Sequence, residues 1–191
     1  MSDGSDIVVV SGLPRSGTSL MMRMLEAAGL PPMTDGARTA DEDNPLGYYE
    51  LEAVKQLKRD ASWLAGAGGK VIKVIHLLLL DLPTTHRYRV VFMQRDLDEV
   101  VASQRKMLER AGRSGGSLSP DALKAAYRAQ MGRVDTFLAS HPAFSRIDVS
   151  YNTLVKAPGP VVDELTRFLG LRGKEPAMLA AIDPGLYRNR A

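Results

Sequence analysis

The sequence predicts an α/β domain in which a mostly parallel central sheet is flanked by helices. Short β-branched runs alternate with segments whose apolar residues recur every three or four positions, a pattern typical of parallel strands joined by crossover helices. The 191 residues are 45% hydrophobic and 25% charged, which is an ordinary globular composition. No internal repeat or dividing linker is visible, so we expect one domain over residues 1–191.

The individual elements follow from apolar spacing and from turn residues. The run Ile7 to Val10 stops at Ser11-Gly12, as a buried strand does where it enters a turn. Ser119-Pro120-Asp121 combines a capping serine, a first-turn proline and an acid near the positive end of a helix. The predicted strands are residues 7–10, 70–75, 89–93 and 147–149. The predicted helices are residues 16–28, 48–64, 96–111, 119–140, 159–169 and 175–181.

Composition excludes several classes of site and partner. The chain has no cysteine, which rules out disulfides and cysteine-based zinc or iron–sulfur sites. A net charge of +3 is too small for bulk attraction to nucleic acid, and we expect no such partner. The most apolar stretch, residues 71–80, is about half the length that spans a bilayer, and the first residues do not resemble a signal peptide. We therefore expect a cytoplasmic protein with no membrane span.

The turn between the first strand and the first helix has the composition of a phosphate-binding loop. Its two glycines let the backbone wrap around an anion, while the helix N-terminus supplies N–H groups and positive potential. The spacing is that of a P-loop, except that Thr18 stands where a lysine is expected and the cation is Arg15. The candidate binding residues are Gly12, Pro14, Arg15, Ser16, Gly17, Thr18 and Ser19.

Two other interpretations of this turn stay open. A magnesium-dependent nucleotide phosphotransferase would use Ser19 and Asp81, because the apolar run 77–80 before Asp81 is similar to the strand and acid that hold magnesium. The missing lysine weighs against that enzyme, since this ammonium normally bridges the terminal phosphates. Alternatively, the turn only connects strand to helix and leaves Arg15 in solvent.

A second anion site is predicted after the third strand. Arg95 follows that strand, and Ser103 lies eight residues later, about 2.2 turns along the next helix. The guanidinium offers a bidentate grip and the hydroxyl one more donor, so the two residues can bind one phosphate.

With both motifs in this order, the sequence resembles the sulfotransferases that use 3'-phosphoadenosine 5'-phosphosulfate (PAPS). GLPRSGTS is similar to their 5'-phosphosulfate loop, and FMQRDLDEVVASQ is similar to their 3'-phosphate motif. KVIKVIHLLLLDLP resembles their segment with a Lys, a His and a Leu-Pro after one strand, although Lys73 precedes His76 by three residues rather than two. NPLGYYE, residues 44–50, looks like a segment of small bacterial members. Their C-terminal RKGxxG loop for the 3'-phosphate is absent, and Arg113, Arg188 and Arg190 are candidates to replace it.

The resemblance implies a three-layer P-loop-like fold and transfer of a sulfuryl group from PAPS to a hydroxyl or amine, with adenosine 3',5'-bisphosphate (PAP) as product. It implies a small-molecule or glycan acceptor and no metal, and it leaves the oligomeric state open. A non-catalytic nucleotide-binding protein of the same fold is the alternative outside the enzymes, suggested by the short chain and the absent C-terminal loop.

The resemblance also implies roles for individual residues. Arg15 neutralises charge at the 5'-phosphosulfate, and Arg95 and Ser103 hold the 3'-phosphate. The general base is His76, whose ordinary pKa lies near neutrality, or Glu50, since related glycan sulfotransferases place a glutamate in that part of the fold. The acidic segment 35–43 is interpreted as a solvated loop.

Overall fold

A four-stranded, all-parallel sheet forms the centre of the molecule, with the strand order β2-β1-β3-β4. The computed structural model describes residues 6–36, 47–110, 112 and 118–183. The strands are β1 Ile7–Gly12, β2 Val71–Lys73, β3 Tyr88–Gln94 and β4 Phe144–Ser150. The helices are α1 Thr18–Ala27, α2 Leu97–Arg110, α3 Pro120–Ser140, α4 Tyr151–Lys156, α5 Pro158–Leu169 and α6 Glu175–Ala180. Three short 3-10 helices are Glu52–Gln56, Ser62–Gly66 and His76–Asp81.

The two faces of the sheet carry separate cores because successive side chains of a strand point to opposite sides. Val8 and Val10 of β1 pack on one face with α1, α4, α5 and α6. Ile7 and Val9 pack on the other face with α3 and the 3-10 helices. The methionines of α1, Met21, Met22 and Met24, are fully buried in the first of these cores. The predicted α/β class, with three layers and helices flanking a parallel sheet, is confirmed.

The positions of the site elements follow from the pairing of β1 with β3. Gly12 at the end of β1 lies beside Met93 near the end of β3. Parallel strands end at the same edge of a sheet, and ligands of open α/β sheets bind at that edge. The turn after β1 and the residues after β3 are therefore neighbours.

The predicted helix over residues 48–64 is wrong. Its described residues form the 3-10 helices Glu52–Gln56 and Ser62–Gly66, separated by a turn in which the Asp60 carboxylate accepts a 2.9 Å hydrogen bond from the Ser62 N–H. Aspartate offers the backbone such a local partner and so competes with a continuous helix. Val54, Leu57 and Leu64 are still buried, because short 3-10 turns also bring apolar residues three or four apart onto one side.

Other boundaries differ from the prediction in similar ways. The strand expected over 70–75 covers only Val71–Lys73, and the apolar run 77–80 belongs to the 3-10 helix His76–Asp81. Helix α4 was not predicted. The Ser150 hydroxyl caps it by accepting from the Thr153 N–H, and it ends at Lys156, two residues before Pro158. The cap at Ser119 and the helix that follows it are confirmed.

Candidate functional site

The loop between β1 and α1 is held in an unusual backbone shape. Gly12 and Gly17 have φ values of 148° and 100°, and Arg15 has a φ of 70°, which non-glycine residues seldom adopt. The Ser16 N–H closes a turn by donating to the Leu13 carbonyl at 3.1 Å. The first backbone bond of α1 runs from the Met21 N–H to the Gly17 carbonyl, so the preceding N–H groups have no partner within the helix. This is the arrangement that binds anions at a helix N-terminus.

Close packing explains why glycine stands at both ends of this loop. A Cβ atom on Gly12 would lie 2.6 Å from the Met93 carbonyl oxygen, and one on Gly17 would lie 2.3 Å from Cδ2 of Tyr151. The Ser16 hydroxyl is buried beside Gly12 and has no hydrogen-bond partner in the part of the chain that the structure describes. A buried donor of this kind is costly unless something binds it.

The structure brings the two predicted phosphate motifs into direct contact. Nε of Arg15, in the loop, donates a 3.1 Å hydrogen bond to Oγ of Ser103, which is buried on α2. The backbone carbonyl of Arg15 accepts a 3.1 Å bond from Nη1 of Arg95. Arg15, Arg95 and Ser103 therefore line one site at the carboxyl ends of β1 and β3.

Arg95 is also part of a buried ion pair. Its Nε lies 2.7 Å from Oε2 of Glu99, and the side chains are only 8% and 3% exposed. The Nδ2 group of Asn152 donates to the second oxygen of Glu99 at 2.8 Å, and the Tyr151 ring centroid lies 4.4 Å from the Arg95 guanidinium carbon. Sequence reasoning missed these partners as site residues. The four-residue spacing of Arg95 and Glu99 was a usable signal for the ion pair.

Lys73 supplies a cation to the loop from the neighbouring strand. Its Nζ donates to Oγ of Ser19 at 3.1 Å and to the Tyr48 carbonyl at 2.6 Å. The P-loop position occupied by Thr18 lacks a lysine, and Lys73 brings an ammonium group to the adjacent hydroxyl instead. The sequence pattern left the role of Lys73 open, because only the pairing of β2 with β1 shows that it reaches the loop.

His76 is enclosed rather than exposed at the mouth of the site. It is 3% exposed, its Nε2 lies 2.8 Å from Oε1 of Gln130, and the ring meets that of Tyr127 edge-on. Its Nδ1 is buried without a hydrogen-bond partner among the described residues. Burial lowers the pKa of the imidazole. This effect outweighs the hydrogen bond with Gln130 and the interaction with the Gly12 backbone, which both raise the pKa. The neutral imidazole is therefore favoured at neutral pH.

The remaining predicted residues are placed as follows. Pro14 is exposed on the loop, and Thr18 and Ser19 are half-buried at the start of α1. Glu50 is half-buried, and its carbonyl accepts from the Thr34 hydroxyl at 2.9 Å. Arg113, Arg188, Arg190 and the acidic residues 41–43 lie outside the described residues.

The magnesium interpretation loses its structural support. Asp81 ends a 3-10 helix, not a strand, so the expected pattern of a strand followed by a metal-binding acid is wrong. Within the described ranges, no cluster of three or more His, Cys, Asp or Glu side chains is arranged to hold a metal ion. In the same part of the chain, no helix has the length and apolarity needed to cross a membrane.

Comparison with known proteins identifies the family. The profile described as Sulfotransferase family matches residues 36–175, so the chain belongs to the sulfotransferase family. No match is found among curated proteins.

Solved structures of sulfotransferases share the fold. The sulfotransferase domain from the curacin biosynthetic pathway is 18% identical, with a TM-score of 0.58 over 94% of this chain and 78% of that one. Sulfotransferase STF1 from Mycobacterium tuberculosis H37Rv is 20% identical, with a TM-score of 0.59 over 94% and 72%. Mouse sulfotransferase SULT7A1, complexed with PAP, is 13% identical, with a TM-score of 0.51 over 98% and 67%.

The close packing of Gly17 gives a first prediction. Gly17→Ala should destabilise the protein by about 2–4 kcal/mol, since the new methyl group overlaps the Tyr151 ring and the backbone is already left-handed. Gly29→Ala is the matched control: Gly29 has a similar φ of 92° but nothing within 4 Å of its Cβ position, so only the strain of about 1 kcal/mol applies. Urea unfolding of both variants measures the difference. Equal losses would contradict the role assigned to Tyr151.

The burial of His76 gives a prediction for pH dependence. The pKa of His76 is lower in the folded than in the unfolded chain, where it is near the ordinary 6.5. Above pH 6.5 the imidazole is neutral in both states and contributes no pH dependence. Below it the unfolded chain takes up the proton first, so the free energy of unfolding falls until the folded pKa is reached.

His76→Gln keeps an amide near the position of Nε2 and removes this titration. The difference in unfolding free energy between wild type and His76→Gln should therefore shrink as the pH falls from 7 to 5, measured by urea unfolding at each pH. A difference that is constant over this range would show that His76 titrates alike in both states.

Proposed function

We propose that this protein transfers the sulfuryl group of PAPS to a hydroxyl or amine of a small-molecule or glycan acceptor. The observation that carries the proposal is the hydrogen bond from Arg15 to Ser103, which joins the loop for the 5' end to the motif for the 3'-phosphate. The mouse relative complexed with PAP supports the same class of nucleotide.

The charges of the site suit an anionic nucleotide. Arg15, Lys73 and Arg95 contribute three cations, whereas Glu99 contributes one buried carboxylate. The buried Ser16 hydroxyl adds a donor that lacks a partner in the described part of the chain. In this proposal the loop, Arg15 and Lys73 bind the 5'-phosphosulfate, and Arg95 and Ser103 bind the 3'-phosphate, which distinguishes PAPS from ATP. Because these groups neutralise the phosphates, we propose that no metal is needed.

Sulfuryl transfer requires alignment of the two reactants, positive charge near the leaving group and a general base. A bond forms between the acceptor atom and sulfur while the bond from sulfur to the phosphate oxygen breaks, and the acceptor proton leaves to the base. Negative charge grows on the departing phosphate oxygen, where Arg15 and Lys73 stabilise it. Preorganised cations and N–H groups of this kind supply most of the stabilisation in comparable group transfers.

Two residues are candidates for the base. His76 is favoured neutral at neutral pH and has an unpartnered Nδ1 among the described residues, but that nitrogen is enclosed beside the loop. Glu50 is half-buried and lies two residues beyond Tyr48, whose carbonyl binds Lys73. Variants of the two residues distinguish them.

Nucleotide binding tests the proposal directly. Calorimetric titration with EDTA present should show micromolar binding of PAP, and ATP with magnesium should bind much more weakly. Arg15→Ala should weaken PAP binding by more than about tenfold, because a charge-assisted contact is lost. Arg105→Ala, an exposed arginine on α2, is the control and should bind normally. Binding of magnesium-ATP alone would refute the proposal, and PAP binding with no turnover on a broad panel of hydroxyl and amine acceptors would show a non-catalytic nucleotide-binding protein.

The base is identified by turnover of His76→Gln and Glu50→Gln with an acceptor found in that panel. Loss of the general base should lower kcat by about 10²- to 10⁴-fold and leave the affinity for PAP within twofold, about the error of such titrations. The other variant should retain most of its turnover. Retention of kcat in both would exclude both assignments.

A further inference from the structure

A chain of buried contacts runs from the start of α4, through α2, to the phosphate loop. We propose that Glu99 and Asn152 are positioning residues that hold Arg95 against the Arg15 carbonyl, so that the loop keeps its anion-binding shape when no nucleotide is bound. The inference rests on the proposed function, in which this loop receives the 5'-phosphosulfate. It gives Arg95 a second task, at the 5' end, besides binding the 3'-phosphate.

The peptide group between Arg15 and Ser16 is fixed on both sides. Its carbonyl oxygen accepts from Nη1 of Arg95 at 3.1 Å, and its N–H donates to the Leu13 carbonyl at 3.1 Å. Arg15 is left-handed at this point, with a φ of 70°, and such a conformation persists only where its surroundings determine it. The bond from Arg95 holds the carbonyl side of this peptide.

Arg95 is in turn fixed by Glu99. The Nε of Arg95 bonds one carboxylate oxygen at 2.7 Å, and Asn152 bonds the other oxygen at 2.8 Å. A guanidinium group is planar and rigid, so fixing its Nε also sets the direction of its Nη1. The carboxylate and the guanidinium are both almost completely buried, so water does not compete for their hydrogen bonds.

The sheet places α4 where it can anchor this chain. Ser150 at the end of β4 pairs with Gln94 at the end of β3, so Tyr151 and Asn152 emerge beside Arg95. The Tyr151 ring lies over the Arg95 guanidinium and also contacts Gly17 at the far end of the loop. Tyr151 thus contacts both Arg95 and the loop, and Asn152 reaches Arg95 through Glu99.

A ligand without a 3'-phosphate separates the two tasks of Arg95. If Arg95 served the 3'-phosphate alone, its replacement would not change the binding of AMP, which has only the 5'-phosphate. If Arg95 supports the loop, AMP binding must fall as well. Replacement of Asn152, which bonds Glu99, should also weaken AMP binding, because it loosens Arg95.

The experiment uses Arg95→Lys, which keeps the charge but loses the planar fork, and Asn152→Ala, which keeps the charges and removes the donor to Glu99. Affinities for AMP and PAP are measured by ligand-observed NMR and calorimetry, and amide hydrogen exchange of residues 12–20 is followed in the empty protein. We expect AMP to bind about tenfold more weakly to both variants, the loss expected for one hydrogen bond to a charged group. Loop amides should exchange faster, while amides of β1 and β3 remain protected.

Three further variants make the result specific. Arg105→Lys is the matched control, since Arg105 pairs with Glu109 of α2 at the same four-residue spacing as Arg95 and Glu99, but in solvent. It should change neither AMP binding nor loop exchange. Ser103→Ala should weaken PAP more than AMP, because it removes a donor to the 3'-phosphate, whereas AMP is affected only through the orientation of Arg15. Glu99→Gln is tested only by amide hydrogen exchange, because removing the Glu99 charge also alters the attraction of the site for any anion. We expect its loop amides to exchange faster than those of the wild type.

Wild-type AMP affinity and loop exchange in both Arg95→Lys and Asn152→Ala would overturn the inference. Faster exchange throughout the sheet in both would also overturn it, since the effect would then be a general loss of stability. If Arg95→Lys does not fold, Asn152→Ala decides by itself. If the wild-type protein binds neither AMP nor PAP, the proposed function fails, whereas faster exchange confined to the loop would still support the positioning role.

Discussion

The parallel pairing of β1 with β3 is the constraint on which the site depends. Because Gly12 and Met93 lie side by side, the turn after β1 and the start of α2 occupy the same edge of the sheet. Arg15 can then reach Ser103 with its side chain while its carbonyl receives Arg95. A shift of one residue between these strands would move the two motifs apart and reverse the faces of the apolar side chains. The same pairing therefore sets both the core and the site.

The electrostatics of the site combine buried and accessible charge. Arg95 and Glu99 form an ion pair that is excluded from water. Because desolvation offsets the attraction between the charges, such a pair contributes more to a defined geometry than to net stability. Nε of Arg15 bonds the Ser103 hydroxyl, and Nζ of Lys73 bonds the Ser19 hydroxyl and the Tyr48 carbonyl. These contacts orient the two cations at the edge of the sheet where the loop lies. In the proposed function these cations position an anionic nucleotide, as expected of a group transfer that depends on alignment and charge.

Much of this arrangement was readable from the sequence, and the exceptions have physical causes. The turn after β1 with its two glycines and the cap at Ser119 were predicted because both depend on local spacing. The contacts of Lys73, Tyr151 and Asn152 depend on packing between distant segments, which local patterns do not encode. The segment 48–64 was misassigned because apolar residues three or four apart fit both an α-helix and successive 3-10 turns. The roles of His76 and Glu50 stay predictions, since they concern a reaction rather than a fold.

The buried methionines beneath the loop can report whether the core of the protein stays closed. Met21, Met22 and Met24 are fully buried on α1, and Met93 and Met178 are buried on neighbouring elements. Oxidation turns a methionine thioether into a polar sulfoxide and needs access to the sulfur atom. In the folded chain these sulfur atoms are shielded, so peroxide reaches them only when the structure opens. Mass-spectrometric sulfoxide content at these positions thus reports how often the core beneath the loop between β1 and α1 becomes exposed.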